Sequence, residues 1–179
     1  MIIREVAPAD ASTYFSLRVQ SEQEYPQFVG FNTERELAAE HSGIVAMLSS
    51  YRSEGTIVWG AFEGIRIVGA LALSQRPSRK YAHKALLWGM YVIPEFRGSG
   101  AAQALMNTAI TWATEHPEIV AITLQVALSN IRALQFYKRV GFNVFGTEQR
   151  SLFAAGQFHA VHYMELEVSP GPSKTKAVT

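Results

Sequence analysis

The glycine-rich segment from residue 97 to residue 103 contains the groups of this chain that are best suited to bind a charged ligand: Arg97, Gly98, Ser99, Gly100, Ala101, Ala102 and Gln103. Its two glycines let the backbone turn sharply and leave the backbone N–H groups uncovered by side chains. An amphipathic helix is predicted directly afterwards, and the first N–H groups of a helix are unpaired at the positive end of its dipole. Together these features predict a phosphate-binding loop, beside which Arg97 adds a cation.

Spacing disfavours two common phosphate-binding motifs. A Walker loop requires a lysine followed by Ser or Thr after its last glycine, whereas this loop continues Ala101-Ala102-Gln103. A dinucleotide fingerprint that starts at Gly98 would need a glycine where Gln103 stands. A nucleotide-binding domain for ATP or NAD is therefore a poor interpretation.

The pattern that does fit is Arg-x-x-Gly-x-Ala, which ends at Ala102 and is preceded by Met90-Tyr91-Val92 and Pro94. It resembles motif A of the GCN5-related N-acetyltransferases (GNAT), whose loop binds the pyrophosphate of acetyl-CoA. The resemblance implies the same role here for residues 97–103. It also implies that the strand backbone at Met90, Tyr91 and Val92 pairs with the pantetheine arm and polarises the thioester carbonyl. The alternative for this segment alone is an ordinary strand–turn–helix corner.

A second segment, residues 122–142, consists of an alternating apolar strand, Ser-Asn as a helix start, a short helix and Val-Gly-Phe. Asn130, Ala133 and Tyr137 are three and four residues apart, which places them on one helical face. The segment resembles motif B of the same family, with Phe136 and the final Gly-Phe also at the expected positions. The resemblance implies that Asn130, Ala133 and Phe136 bind the cofactor and that Tyr137 is the general acid that protonates the departing CoA thiolate. The alternative is that both aromatics belong to the core, which suits Phe136 better than Tyr137.

The sequence does not assign a general base, because the predicted strands 82–92 and 120–127 contain no acidic residue. Glu22 and Glu24 lie in a segment that resembles the acceptor-site wall of the family. Either could bind the amine or deprotonate it through water, although each alone is more often a solvated charge.

In folds of this family the acceptor site is built from the region around the first two helices and from the last hairpin. The aromatic residues of these two regions favour a partly aromatic wall, although aromatic residues are more often buried in the core. They are Tyr25, Phe28, Phe31, Phe153 and Phe158. The prediction is therefore acetyl transfer to a small amine or amino-acid-like molecule rather than to a polyamine. A protein N-terminus, as in ribosomal-protein acetylation, is the second choice. A non-catalytic acyl-CoA-binding module is a further alternative, which the presence of Tyr137 and an intact loop disfavours.

Composition limits the remaining function classes. A chain of 179 residues with 48% hydrophobic and 17% charged residues is typical of one soluble domain. A net charge of +1 argues against nucleic-acid or membrane binding. The absence of cysteine excludes disulfides and thiolate metal sites, and the close pair His159 and His162 would face opposite sides of a strand, so no metal is expected. The N-terminal residues lack a signal-peptide core, and a cytoplasmic protein is expected. The oligomeric state is left open, with a homodimer as one alternative.

Patterning predicts an α/β (α+β) fold of the GNAT type: a central, mixed, mostly antiparallel sheet of about seven strands flanked by about four helices. The domain is expected to span residues 1–168, with a disordered tail at 169–179. Gly89 interrupts an apolar strand, which indicates a bulge or a close backbone approach. The predicted elements are strand 2–7, helices 10–20 and 33–51, strands 56–62, 65–73 and 82–92, a helix from the loop to His116, strand 120–127, the motif B helix, and strands 143–152 and 158–168.

Overall fold

The computed structural model describes residues 1–26, 28, 40–76, 78–154 and 156–168. Within these residues the chain forms seven strands and four helices in the order that the sequence predicts. They are β1 (Ile2–Glu5), α1 (Ala11–Glu24), α2 (Glu40–Tyr51), β2 (Thr56–Glu63), β3 (Arg66–Gln75), β4 (Lys84–Val92), α3 (Ala101–Thr114), β5 (Ala121–Ala127), α4 (Ile131–Val140), β6 (Asn143–Ala154) and β7 (Gln157–Glu167).

The seven strands form one sheet in the order β1-β2-β3-β4-β5-β7-β6, and every pair is antiparallel except β4–β5. The parallel pair is short. Lys84, Ala85 and Leu86 of β4 pair with Ala121, Ile122 and Thr123 of β5, and the register goes no further. Beyond Leu86 the two strands separate while β4 continues along β3. The sheet therefore opens in its middle, and the β4 backbone has a side without a strand partner there.

A β-bulge lies in β4 at the point where the sheet opens. Ala72 pairs with Trp88 and Ala70 with Tyr91, so Gly89 and Met90 together oppose one residue of β3. Gly89 has φ +65°, a left-handed conformation that a bulge of this type requires and that glycine adopts without strain. The bulge that Gly89 predicts is confirmed.

Helices cover both faces of the sheet. Trp88 meets Tyr51 of α2 edge-on, whereas Trp59 of β2 meets Trp112 of α3. Trp59 pairs with Leu71 and Trp88 with Ala72, and neighbouring residues on a strand point to opposite faces. Thus α2 and α3 lie on opposite faces. Because β2 and β3 are buried on both sides, their sequences are continuously apolar rather than alternating.

The first helix differs from its prediction. It continues to Glu24 instead of ending near Gln20, so Glu22 and Glu24 are helical residues and not part of a loop. Asp10 is the N-cap residue, yet its carboxylate accepts hydrogen bonds from Arg4 and from the backbone N–H of Ala7 rather than from α1. The helix ends at Glu24, one residue before Tyr25, whose backbone is restricted by Pro26.

Some expectations lie outside the described residues. They concern the start of the second predicted helix at residue 33, Phe31 and the tail at residues 169–179. None of the helices that the structure describes is long and apolar enough to span a membrane. Across the same residues, no group of three or more His, Asp or Glu side chains is placed to hold a metal ion.

Candidate active site

A cleft of about 420 Å³ occupies the gap between β4 and β5. Its walls come from the C-terminal half of α1, the bulged part of β4, the end of β5, the start of α4 and the β6–β7 hairpin. The motif A strand contributes Met90 and Tyr91, and motif B contributes Asn130, Ala133 and Tyr137. Segments that are separate in the sequence therefore meet in one cleft, because the sheet opens between them.

The glycine loop at the end of β4 has the conformation that a phosphate cradle needs. Gly98 has φ +82° and Gly100 has φ +90°, and a Cβ built at either position would meet no atom within 4 Å. Gly100 is the N-cap of α3, whose first helical hydrogen bond runs from Ala104 N–H to the Gly100 carbonyl. Helix geometry leaves the N–H groups of Ala102 and Gln103 for another acceptor. Those of Arg97 and Ser99 donate to the carbonyls of Pro94 and Phe96, and that of Ala101 donates to Ser99 Oγ. An open, uncovered loop at a helix N-terminus fits the pyrophosphate of acetyl-CoA.

The guanidinium of Arg97 is held by its own neighbours. Its Nη2 donates to Glu24 Oε2 at 2.5 Å and its Nε donates to the Val92 carbonyl at 3.0 Å. The side chain expected to clamp a phosphate thus forms an ion pair with the end of α1. The backbone of residues 97–103 stays the predicted phosphate site.

Glu24 is also engaged and is a poor candidate for the general base. Besides the Arg97 ion pair, it accepts a hydrogen bond of 2.7 Å from the Tyr91 hydroxyl. These partners, Arg97 first, lower the pKa of Glu24 to about 2. Burial, together with the Glu24 carboxylate, raises the pKa of Tyr91. A carboxylate of such low pKa removes protons weakly, so Glu24 is better described as a link between α1 and β4.

Helix α4 positions Tyr137 through two caps. The Asn130 side chain accepts the Ala133 N–H at 3.1 Å, and Gly141 ends the helix at φ +113°. Asn130 therefore caps the helix that the sequence predicts to start there, and it lines the cleft as well. Phe136 is partly buried against the core instead of lining the cleft.

Tyr137 lies at the wall of the cleft with its ring packed on aromatics. Its ring meets those of Phe136 and Phe142 at centroid distances of 5.7 Å, and the residue is 6% exposed. No described residue forms a hydrogen bond with its hydroxyl, and burial raises the pKa of Tyr137. Tyr137 therefore keeps a proton that it can donate at neutral pH, and it borders the cleft, but the raised pKa also makes it a weaker acid than a free phenol.

Only some of the aromatic residues predicted to form the acceptor wall border the cleft. Tyr25 and Phe28 line the cleft with stacked rings 5.7 Å apart. Phe153 and Phe158 instead pack on each other near the tip of the β6–β7 hairpin, and both are exposed, by 66% and 59%. The hairpin presents Leu152 and Val161 to the cleft.

Sequence reasoning missed Arg18 and Ser21, which line the cleft from α1 and are 3% and 4% exposed. A signal was present, because Tyr14 and Leu17 mark the buried side of the predicted helix. Arg18 follows Tyr14 by four residues and Ser21 follows Leu17 by four, so both belong to that side.

The family model described as the acetyltransferase (GNAT) family matches residues 16–142, and the chain therefore belongs to this family, whose enzymes use acetyl-CoA as their cosubstrate. Among its relatives is the L-amino acid N-acetyltransferase AaaT of Escherichia coli, 29% identical over 55% of this chain and 60% of that protein. The putative ribosomal N-acetyltransferase YdaF of Bacillus subtilis is 24% identical over 92% of this chain and 89% of its own length. The putative acetyltransferase yncA of Salmonella typhimurium, solved with acetyl-CoA, superposes with a TM-score of 0.82 over 99% of both chains at 15% identity, which supports the fold.

Proposed function

We propose that this protein transfers the acetyl group of acetyl-CoA to the primary amine of a small, amino-acid-like acceptor. The observation that most supports this function is the convergence of the motif A strand and the motif B helix on one cleft. The open backbone loop at Gly98 and Gly100 lies at the end of that strand, where it can bind the pyrophosphate. The separation of β4 from β5 leaves room for the pantetheine arm along Met90 and Tyr91.

In this proposal acetyl-CoA supplies an activated acyl group, and the reaction is direct attack by the neutral amine on the thioester carbonyl. The C–N bond forms, the C–S bond breaks, and Tyr137 donates its proton to the leaving sulfur. The amine loses one proton in the same process. Because Glu24 is bound to Arg97 and Tyr91, we assign that proton to solvent at the mouth of the cleft rather than to Glu24. Solvent also returns a proton to the Tyr137 phenolate, which restores the enzyme for the next cycle.

The polarity of the cleft supports a small acceptor over a polycation. The described residues that line it include no carboxylate, whereas Tyr25 and Phe28 give it an aromatic side. Such a site offers apolar contact and little attraction for multiple ammonium groups. A protein N-terminus is the second candidate, and the similarity to YdaF across most of this chain favours it.

An acceptor screen tests the proposal by release of free CoA thiol from acetyl-CoA. The panel would contain amino acids, polyamines, aminoglycosides and short peptides, and reactions without amine would give the background hydrolysis. We expect turnover with amino acids. Turnover restricted to peptides would favour the second candidate, and CoA binding measured by calorimetry without turnover of any amine would identify a non-catalytic acyl-CoA-binding module.

A further inference from the structure

We propose that Arg18 binds the carboxylate of the acceptor, so that the substrate is a free α-amino acid. This inference rests on the proposed function and narrows it from amines in general to zwitterions. It concerns a residue outside motifs A and B.

Arg18 belongs to a row of residues on α1 and at its C-terminal cap that faces the cleft. Arg18, Ser21 and Tyr25 follow one another at spacings of three and four residues, and all three line the cleft. The guanidinium is almost completely buried, and a buried charge is costly unless other groups balance it. Arg18 already takes part in at least one noncovalent interaction. Its five N–H donors allow it to serve a further anion as well.

The guanidinium lies beside the bulge of β4. A Cβ at Gly89 would be 3.5 Å from Arg18 Nη1, an ordinary van der Waals distance, so the guanidinium lies directly against the strand at the bulge. Met90 follows immediately, and its backbone is expected to hold the acyl end of the pantetheine arm. In an α-amino acid a single carbon separates the amine from the carboxylate. A carboxylate bound to Arg18 would therefore bring the amine to the region where the thioester is expected.

The charge of the cleft also favours an α-amino acid as the acceptor. Among the described residues that line the cleft, Arg18 alone bears a formal charge. A planar guanidinium pairs with a carboxylate through two parallel hydrogen bonds, which a primary amide of the same shape cannot form with equal strength. A fixed cation also repels the additional ammonium groups of a polyamine. The acceptor class that matches this site has one amine and one adjacent carboxylate.

The test compares L-phenylalanine, L-methionine and L-leucine with their primary amides as acceptors. Values of kcat/KM would be measured for the wild type, Arg18→Met, Arg18→Lys and Arg139→Met, which makes the same change at an exposed residue outside the cleft. The acid-to-amide ratio should fall by about 10- to 100-fold in Arg18→Met, the range for a hydrogen bond between charged groups. It should fall less in Arg18→Lys and stay constant in Arg139→Met. Because each enzyme meets the same two amines, differences in their intrinsic reactivity cancel.

A binding measurement on the wild type keeps the inference testable if Arg18→Met fails to fold. N-acetyl-L-phenylalanine and its amide would be titrated calorimetrically into the protein saturated with CoA, and the acid should bind at least tenfold more tightly. Equal affinities, or an acid-to-amide ratio that Arg18→Met leaves unchanged, would overturn the role of Arg18 while acetyl transfer stands. Acetylation of no amine in the broad screen would instead overturn the proposed function.

Discussion

Replacing Tyr137 with phenylalanine separates a proton donor from a packing residue. The phenyl ring keeps the contacts with Phe136 and Phe142, whose centroids lie 5.7 Å from the Tyr137 ring. The hydroxyl has no hydrogen-bond partner among the described residues, so its removal leaves no buried group unsatisfied. We expect the free energy of unfolding to change by about 1 kcal/mol or less, in either direction.

The same change should strongly reduce turnover. Loss of a positioned acid typically lowers kcat by about 10²- to 10⁴-fold, which corresponds to about 3 to 5 kcal/mol of transition-state stabilisation. The affinity for acetyl-CoA should stay within a factor of about three, because the loop that binds the pyrophosphate is untouched. Burial raises the pKa of Tyr137, so the donor stays protonated below that raised value. The wild type should therefore show no loss of kcat from Tyr137 ionisation between neutral pH and pH 10, its ordinary pKa.

The assay is thiol release with a confirmed acceptor, accompanied by calorimetric titration of CoA and by thermal unfolding. Tyr81→Phe is the matched control, because Tyr81 is 56% exposed and lies outside the cleft. Wild-type kcat in Tyr137→Phe would refute the assignment of Tyr137 as general acid. A decrease of less than tenfold would indicate that water protonates the thiolate and that Tyr137 only positions it.

Three further substitutions test the loop, the ion pair and the helix cap. Gly100→Asp should weaken CoA binding at least tenfold, measured by calorimetry, because it combines a strained φ of +90° with a carboxylate beside the pyrophosphate. The control Gly64→Asp, at φ +60° in the β2–β3 turn, should leave CoA binding unchanged. Glu24→Gln should lower the melting temperature at pH 7. Folding lowers the Glu24 pKa from 4.5 to about 2. The difference in melting temperature between Glu24→Gln and the wild type should therefore persist above pH 4.5 and disappear as the pH falls towards 2. A difference in melting temperature that does not change with pH would contradict the ion-pair explanation. Gly141→Ala should cost about 1 to 2 kcal/mol in denaturant unfolding, because φ is +113°, with CoA affinity unchanged.

Much of the fold follows from patterns that are local in the chain. The apolar runs of β2 and β3, the glycine loop before α3 and the Asn130 and Gly141 caps of α4 each depend on a few consecutive residues, and the structure has them as predicted. The extent of α1 was harder to predict. Neither its weak apolar periodicity nor its polar last turn shows that the helix continues to Glu24. That extension brings the Glu24 carboxylate to Arg97 and Tyr91, which belong to β4 and the loop after it.

The amino-acid sequence by itself determined the family, the element order and the two segments that meet at the cleft, because their motifs lie within single strand–loop–helix units. Only the tertiary structure decided which distant side chains share a site. Arg97 and Glu24 are 73 positions apart, and Arg18 meets Gly89 from another element. Periodicity along one helix shows which face is buried but not what that face contacts. The burial of a charge, and therefore its partner and its chemistry, depends on neighbours that folding alone brings together.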